Sequence, residues 1–118
     1  GITQLQSGNV NIVSDNGNKY VFNNGNNYVT SYLVSNGTYN LTNISSSHPM
    51  AIIDVDSNVL SYTGDSSKMS QKEVNGTNYD FYYGDVTLSV TGDFNTASVY
   101  CYYHGYMGGQ NIFTYSSS

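Results

Sequence analysis

Apolar residues in this chain come in short runs of Val, Ile, Leu, Tyr and Phe, interrupted by clusters of Gly, Asn, Asp and Ser, and no window sustains a helical period. That pattern predicts an all-β fold, a Greek-key sandwich or barrel. Strands are expected at 9–13, 19–22, 28–34, 39–44, 50–55, 59–62, 69–74, 85–91, 97–103 and 111–115. Between them lie turn pairs at Asn16 and Gly17, Asn24 and Gly25, Asn36 and Gly37, Asn75 and Gly76, and Gly92 and Asp93. Asn followed by Gly supplies the positive φ that tight hairpins need. Two strands alternate cleanly. Val86, Leu88 and Val90 share a face, with Asp85, Thr87 and Ser89 opposite. Ala97, Val99 and Cys101 share another inward face, with Tyr100 and Tyr102 pointing outward. Cys101 therefore ends a strand with its thiol turned inward. The glycine-rich stretch 103–109 must form a loop over that strand end. Residues 1–47 carry no titratable cluster and are expected to be scaffold, with 1–6 and 116–118 frayed.

Composition narrows the choice of partners. The 118 residues suit one domain, 1–118. Only 9% of residues are charged, and the net charge is −5 with three cationic side chains, all Lys. Phosphate contacts need clustered cations, so no nucleic-acid partner is expected, and by the same argument no attachment to anionic membranes. No stretch approaches the roughly 20 apolar residues of a membrane span. A single cysteine makes no internal disulfide. The chain begins at Gly1, which suggests a mature or trimmed product, and an extracytoplasmic, secreted or virion-associated location is expected. Sequons at Asn36, Asn40, Asn43 and Asn75 are about as many as an Asn-, Ser- and Thr-rich chain yields by chance.

The candidate chemistry lies in SVYCYYHGYMGG. Its Cys101, His104 and Met107 are ordered Cys-x-x-His-x-x-Met, and the other histidine, His48, lies upstream in SSSHPMAII. Each residue alone has an ordinary reading: a small buried hydrophobe, a loop histidine, a gap-filling methionine. Together, two imidazoles, a thiolate and a thioether form a soft mixed donor set suited to one copper ion and one-electron transfer. Zinc is the runner-up metal, although thioether ligates it poorly. Asp54 and Asp56 are expected on one strand face, but two carboxylates alone do not make a calcium site. No Ser-His-Asp set or carboxylate pair stands out, and four protein donors leave no open coordination position. Catalysis is therefore not expected.

On these residues, over about 28–115, the chain resembles the cupredoxin family. The spacing Cys101, His104, Met107 is like the short ligand loop of amicyanins, and the paired segments around His48 and Cys101 look closest to cupredoxin-like domains of phages and large DNA viruses. The resemblance implies a small Greek-key β-sandwich with His48, Cys101 and His104 in a trigonal plane around copper and Met107 axial. It also implies a transient redox protein partner docking on an apolar patch of Tyr106, Met50 and Gly105 around His104. One departure stands out. The residue after the first histidine commonly donates its backbone N–H to the cysteine sulfur in that family, and Pro49 has none. The rival expectation is a structural virion or surface protein that keeps such a fold, with a vestigial or structural metal site and strand edges open to self-assembly. Copper storage, which favours Met-rich sites, ranks last.

Overall fold

Asn75 and Gly76 adopt φ 52° and 85°, the left-handed pair that a two-residue hairpin requires, and in the three-residue turn between Ser14 and Asn18, Asn16 and Gly17 also take positive φ, 54° and 106°. The computed structural model describes residues 2–117, and among them regular structure is β apart from one 3-10 turn at Ser66–Lys68. The strands are β1 (Ile2–Gln4), β2 (Gly8–Asn9), β3 (Asn11–Ser14), β4 (Asn18–Val21), β5 (Ser31–Val34), β6 (Gly37–Ile44) and β7 (Met50–Ile53). They continue with β8 (Leu60–Gly64), β9 (Met69–Val74), β10 (Thr77–Tyr82), β11 (Gly84–Val90), β12 (Thr96–Cys101), β13 (Gly105–Tyr106) and β14 (Phe113–Tyr115). One sheet runs β1-β5-β14-β12-β7-β10-β9, with β13 beside β12, and a second runs β2-β6-β11-β8. From β5 to β12 the chain passes repeatedly from one sheet to the other, which makes the fold a β-sandwich. The hairpin β3-β4 forms a third, small sheet.

The core lies between the two main sheets. The expected inward faces are there: Val86, Leu88 and Val90 from one sheet meet Ala97, Val99 and Cys101 from the other, all buried. The outer face of β7, β10 and β12 is not left to solvent. Ala51, Ile53, Val74 and Phe81 are buried there beneath Tyr79, Tyr100, Tyr102 and Tyr106. The tyrosines expected to face outward do so, and they roof a second apolar cluster. This explains why β7, with residues Met50, Ala51, Ile52 and Ile53, is buried on both faces.

Several expectations needed correction. β10 is absent from the predicted strands, because Asn78 and Asp80 lower its β character, yet Thr77–Tyr82 pairs throughout with β9 across the Asn75-Gly76 turn. Ile2–Gln4 is a paired strand rather than a frayed end. It runs parallel to β5, with the Leu5 N–H donating to the Leu33 carbonyl at 2.8 Å. Near the other end, the Ser116 N–H donates to the Val34 carbonyl at 2.9 Å, and Gly1 and Ser118 lie outside the described residues. Asp54 takes φ 58° and ends β7, so Asp54 and Asp56 do not share a strand face. Among the described residues, no helix is long and apolar enough to cross a membrane.

The turn makes a direct prediction. A Cβ at Gly76 meets nothing within 4 Å, so Gly76→Ala carries only the left-handed backbone cost. Its urea unfolding midpoint should fall by the equivalent of about 1 kcal/mol with the slope unchanged.

Candidate metal centre

Strand register brings the candidate ligands together. On β12, Cys101 lies opposite Met50 of β7, so the loop just before β7, which carries His48, ends beside the cysteine. On the other side of β12, Cys101 pairs with Gly105 of β13. The chain therefore reverses tightly through Tyr102, Tyr103 and His104, and His104 returns to the strand tip it has just left. The Tyr102 N–H donates to the Pro49 carbonyl at 2.9 Å, which joins the two loops directly. Lys72 reaches across from β9 and donates to the Tyr102 carbonyl at 2.7 Å, its ammonium 5.1 Å from the Tyr102 ring centre. This cation–π contact further holds the turn.

The result is a convergent trio. The Cys101 sulfur lies 3.6 Å from Nδ1 of His48 and 3.6 Å from Nδ1 of His104. The two imidazole rings are 4.9 Å apart, centre to centre. One ligand atom from each of the three residues falls within 4.8 Å of the others. Donors bound to a single ion at about 2.3 Å for sulfur and about 2.0 Å for nitrogen are separated by about 3.5–3.7 Å, for angles between tetrahedral and trigonal. Both sulfur–nitrogen separations fall in that interval. Hydrogen bonding accounts less well for the pair of contacts, because a thiol has one hydrogen and its sulfur is a weak acceptor. The trio is a group compatible with a metal site.

Burial is graded across the trio. Cys101 is buried, His48 half-buried and His104 exposed. Burial, and after it the neighbouring His104, lowers the His48 pKa below the ordinary imidazole value. A depressed value keeps the ring neutral, with a free lone pair, down to more acidic pH; that advantage is lost as pH falls through the folded value. Met107 is buried in the same core as Cys101 and Met50, and its carbonyl accepts the Tyr20 N–H at 3.1 Å.

Two of the three residues expected to surround His104 lie elsewhere. Met50 is 1% exposed and belongs to the core. Tyr106 packs on Tyr100 on the outer face, and its hydroxyl donates to the Asp54 carboxylate at 2.9 Å. The register explains this: Tyr106 pairs with Tyr100, so its side chain lies on the face opposite Cys101. The large apolar side chain exposed beside His104 is Tyr103, at 64%.

Sequence reasoning missed Tyr20. It sits on β4, within the segment taken as scaffold, and is 0% exposed. Its hydroxyl donates to the His48 carbonyl at 2.7 Å and lies 3.4 Å from that of Pro49. Burial above all, and then the Cys101 sulfur beside it, push the phenol far above its ordinary pKa and keep it a donor. No spacing rule connects position 20 with position 48, so the sequence carried no signal for this contact. No family model, curated protein or solved structure matches the chain. The functional reading therefore stands on side-chain geometry.

Proposed function

We propose that the chain is a mononuclear copper-binding protein and that the trio serves one-electron transfer. The observation that carries the reading is the convergence of both imidazoles on the one sulfur at equal distance. The donor set supports copper over zinc: thiolate suits Cu(I), imidazole suits both oxidation states, and Met107, buried in the same core as Cys101, would offer a thioether if its sulfur faces the trio. Copper held there would supply exchange of a single electron. The protein's own part is to hold three donors on rigid strand ends, where the cross-strand partners of Cys101 fix its position. Little rearrangement then accompanies a change of charge. Burial of Cys101 keeps water from the sulfur, while the exposed His104 edge, with Tyr103 beside it, offers a short way out for the electron. A transient redox protein docking on that edge fits the small interfaces of such encounters. In this reading the domain resembles cupredoxins, catalyses no reaction of its own and works outside the cytoplasm.

The test is spectroscopic. Cu(II) added to the purified apo-protein should give an intense thiolate-to-copper charge-transfer band in the visible, absent from Cys101→Ala. A colourless protein whose thiol stays free would overturn the copper reading and favour a structural β-domain.

A further inference from the structure

We propose that Tyr20 is a positioning residue for this centre, a buried strut that fixes the His48 loop and the loop beyond His104 relative to Cys101. The proposal deepens the metal reading above and rests on it for its metal-dependent part. Three contacts carry it. The Tyr20 hydroxyl donates to the His48 carbonyl at 2.7 Å and lies 3.4 Å from the Pro49 carbonyl. Its backbone N–H donates to the Met107 carbonyl at 3.1 Å. One residue thus holds backbone on both segments that flank the cysteine.

The need for such a strut follows from the sequence at 48–49. A histidine ring is aimed by its own backbone, and the next residue, Pro49, has no N–H with which to tie that backbone to the strand tip. Tyr20 ties it from the carbonyl side instead. The phenol is itself well held: its ring packs 6.5 Å from that of Phe22, which contacts Tyr32 and Phe113 at 5.2 Å each. A hydroxyl on a rigid, fully buried ring loses little freedom on making its bond, so the bond transmits the position of the core to the ligand loop. The hairpin β3-β4 gains a purpose by this. A two-stranded ribbon is marginal by itself, and this one is anchored where its tyrosine meets the centre.

The test compares Tyr20→Phe with Tyr32→Phe. Tyr32 is equally buried, but its hydroxyl accepts the Phe22 N–H at 3.0 Å instead of reaching the His48 loop. In the apo-protein, Cys101 should react with an aromatic disulfide reagent several-fold faster in Tyr20→Phe than in wild type, with Tyr32→Phe unchanged. With Cu(II), Tyr20→Phe should lose about 10- to 100-fold in affinity, the usual effect of removing a group that orients a ligand, and its charge-transfer band should shift. Equal reactivity in Tyr20→Phe and wild type, or equal changes in the two variants, would overturn the strut. If wild type gives no band while the apo thiol still responds to Tyr20→Phe alone, the copper reading fails and the strut stands. Wild type supplies a measurement that needs no variant to fold: the Tyr20 hydroxyl proton should exchange slowly by NMR and show a through-space contact to His48. Fast exchange would overturn the proposal.

Discussion

Copper in excess should raise the melting temperature of the wild-type protein by about 10 °C, and leave that of Cys101→Ala where it is. The argument is mass action: an ion that binds only the folded state stabilises it by about 2.7 kcal/mol at a hundred times its dissociation constant. In a domain of this size each kcal/mol moves the midpoint by roughly 3–5 °C. The candidate donors come from two separate stretches of chain, at 48 and at 101–104, so the unfolded state does not assemble them. The folded state does, because the register of β12 with β7 and β13 has already placed them. Calorimetry with Cu(II) and with a chelator present reads the shift and its reversal. A wild-type midpoint indifferent to copper would show that the trio, 3.6 Å apart though it is, does not act as a ligand set. A shift that survives in Cys101→Ala would place the ion elsewhere.

The residues of the candidate metal centre were legible because their chemistry is rare in this chain. Two histidines and one cysteine among 118 residues leave few combinations, and alternation in Ala97, Val99 and Cys101 shows which way the sulfur points. The inward face of β11 was readable for the same reason: a period of two survives wherever one side meets the core. Other features depend on pairings between distant segments, which local pattern does not encode. β1 pairs in parallel with β5 through backbone bonds and the Gln4 side-chain amide, and its three exposed side chains show no alternation. Tyr106 was misplaced because two-residue β13 reverses the chain, and its register with Tyr100 sends the ring to the outer face. Tyr20 was invisible because its partners are carbonyl groups, which every residue has.

Replacing Phe22 with alanine should cost about 3–5 kcal/mol, the range for deleting a buried aromatic ring. Phe22 is 1% exposed and stands at the junction of Tyr20, Tyr32 and Phe113, with its edge-on contact to Tyr32 at 5.2 Å. The cavity is lined by stiff rings, two of which, Tyr20 and Tyr32, are anchored through their own hydrogen bonds, so the site relaxes little. That loss is a large share of the 5–15 kcal/mol typical of a domain. With a urea slope of about 1–3 kcal/mol per molar, the midpoint should drop by about 2 M. Tyr103→Ala is the control, since Tyr103 is 64% exposed, and it should stay within about 0.5 kcal/mol of wild type. The two variants also separate stability from the centre. Phe22→Ala removes the ring against which Tyr20 packs, so the surviving folded fraction should show a more reactive Cys101 thiol. Tyr103→Ala leaves Tyr20 and its bond to the His48 carbonyl in place, and its thiol reactivity should match wild type. A Phe22→Ala protein that unfolds at the wild-type midpoint would mean that this aromatic junction is not the packed core described here, and the support for Tyr20 would fall with it.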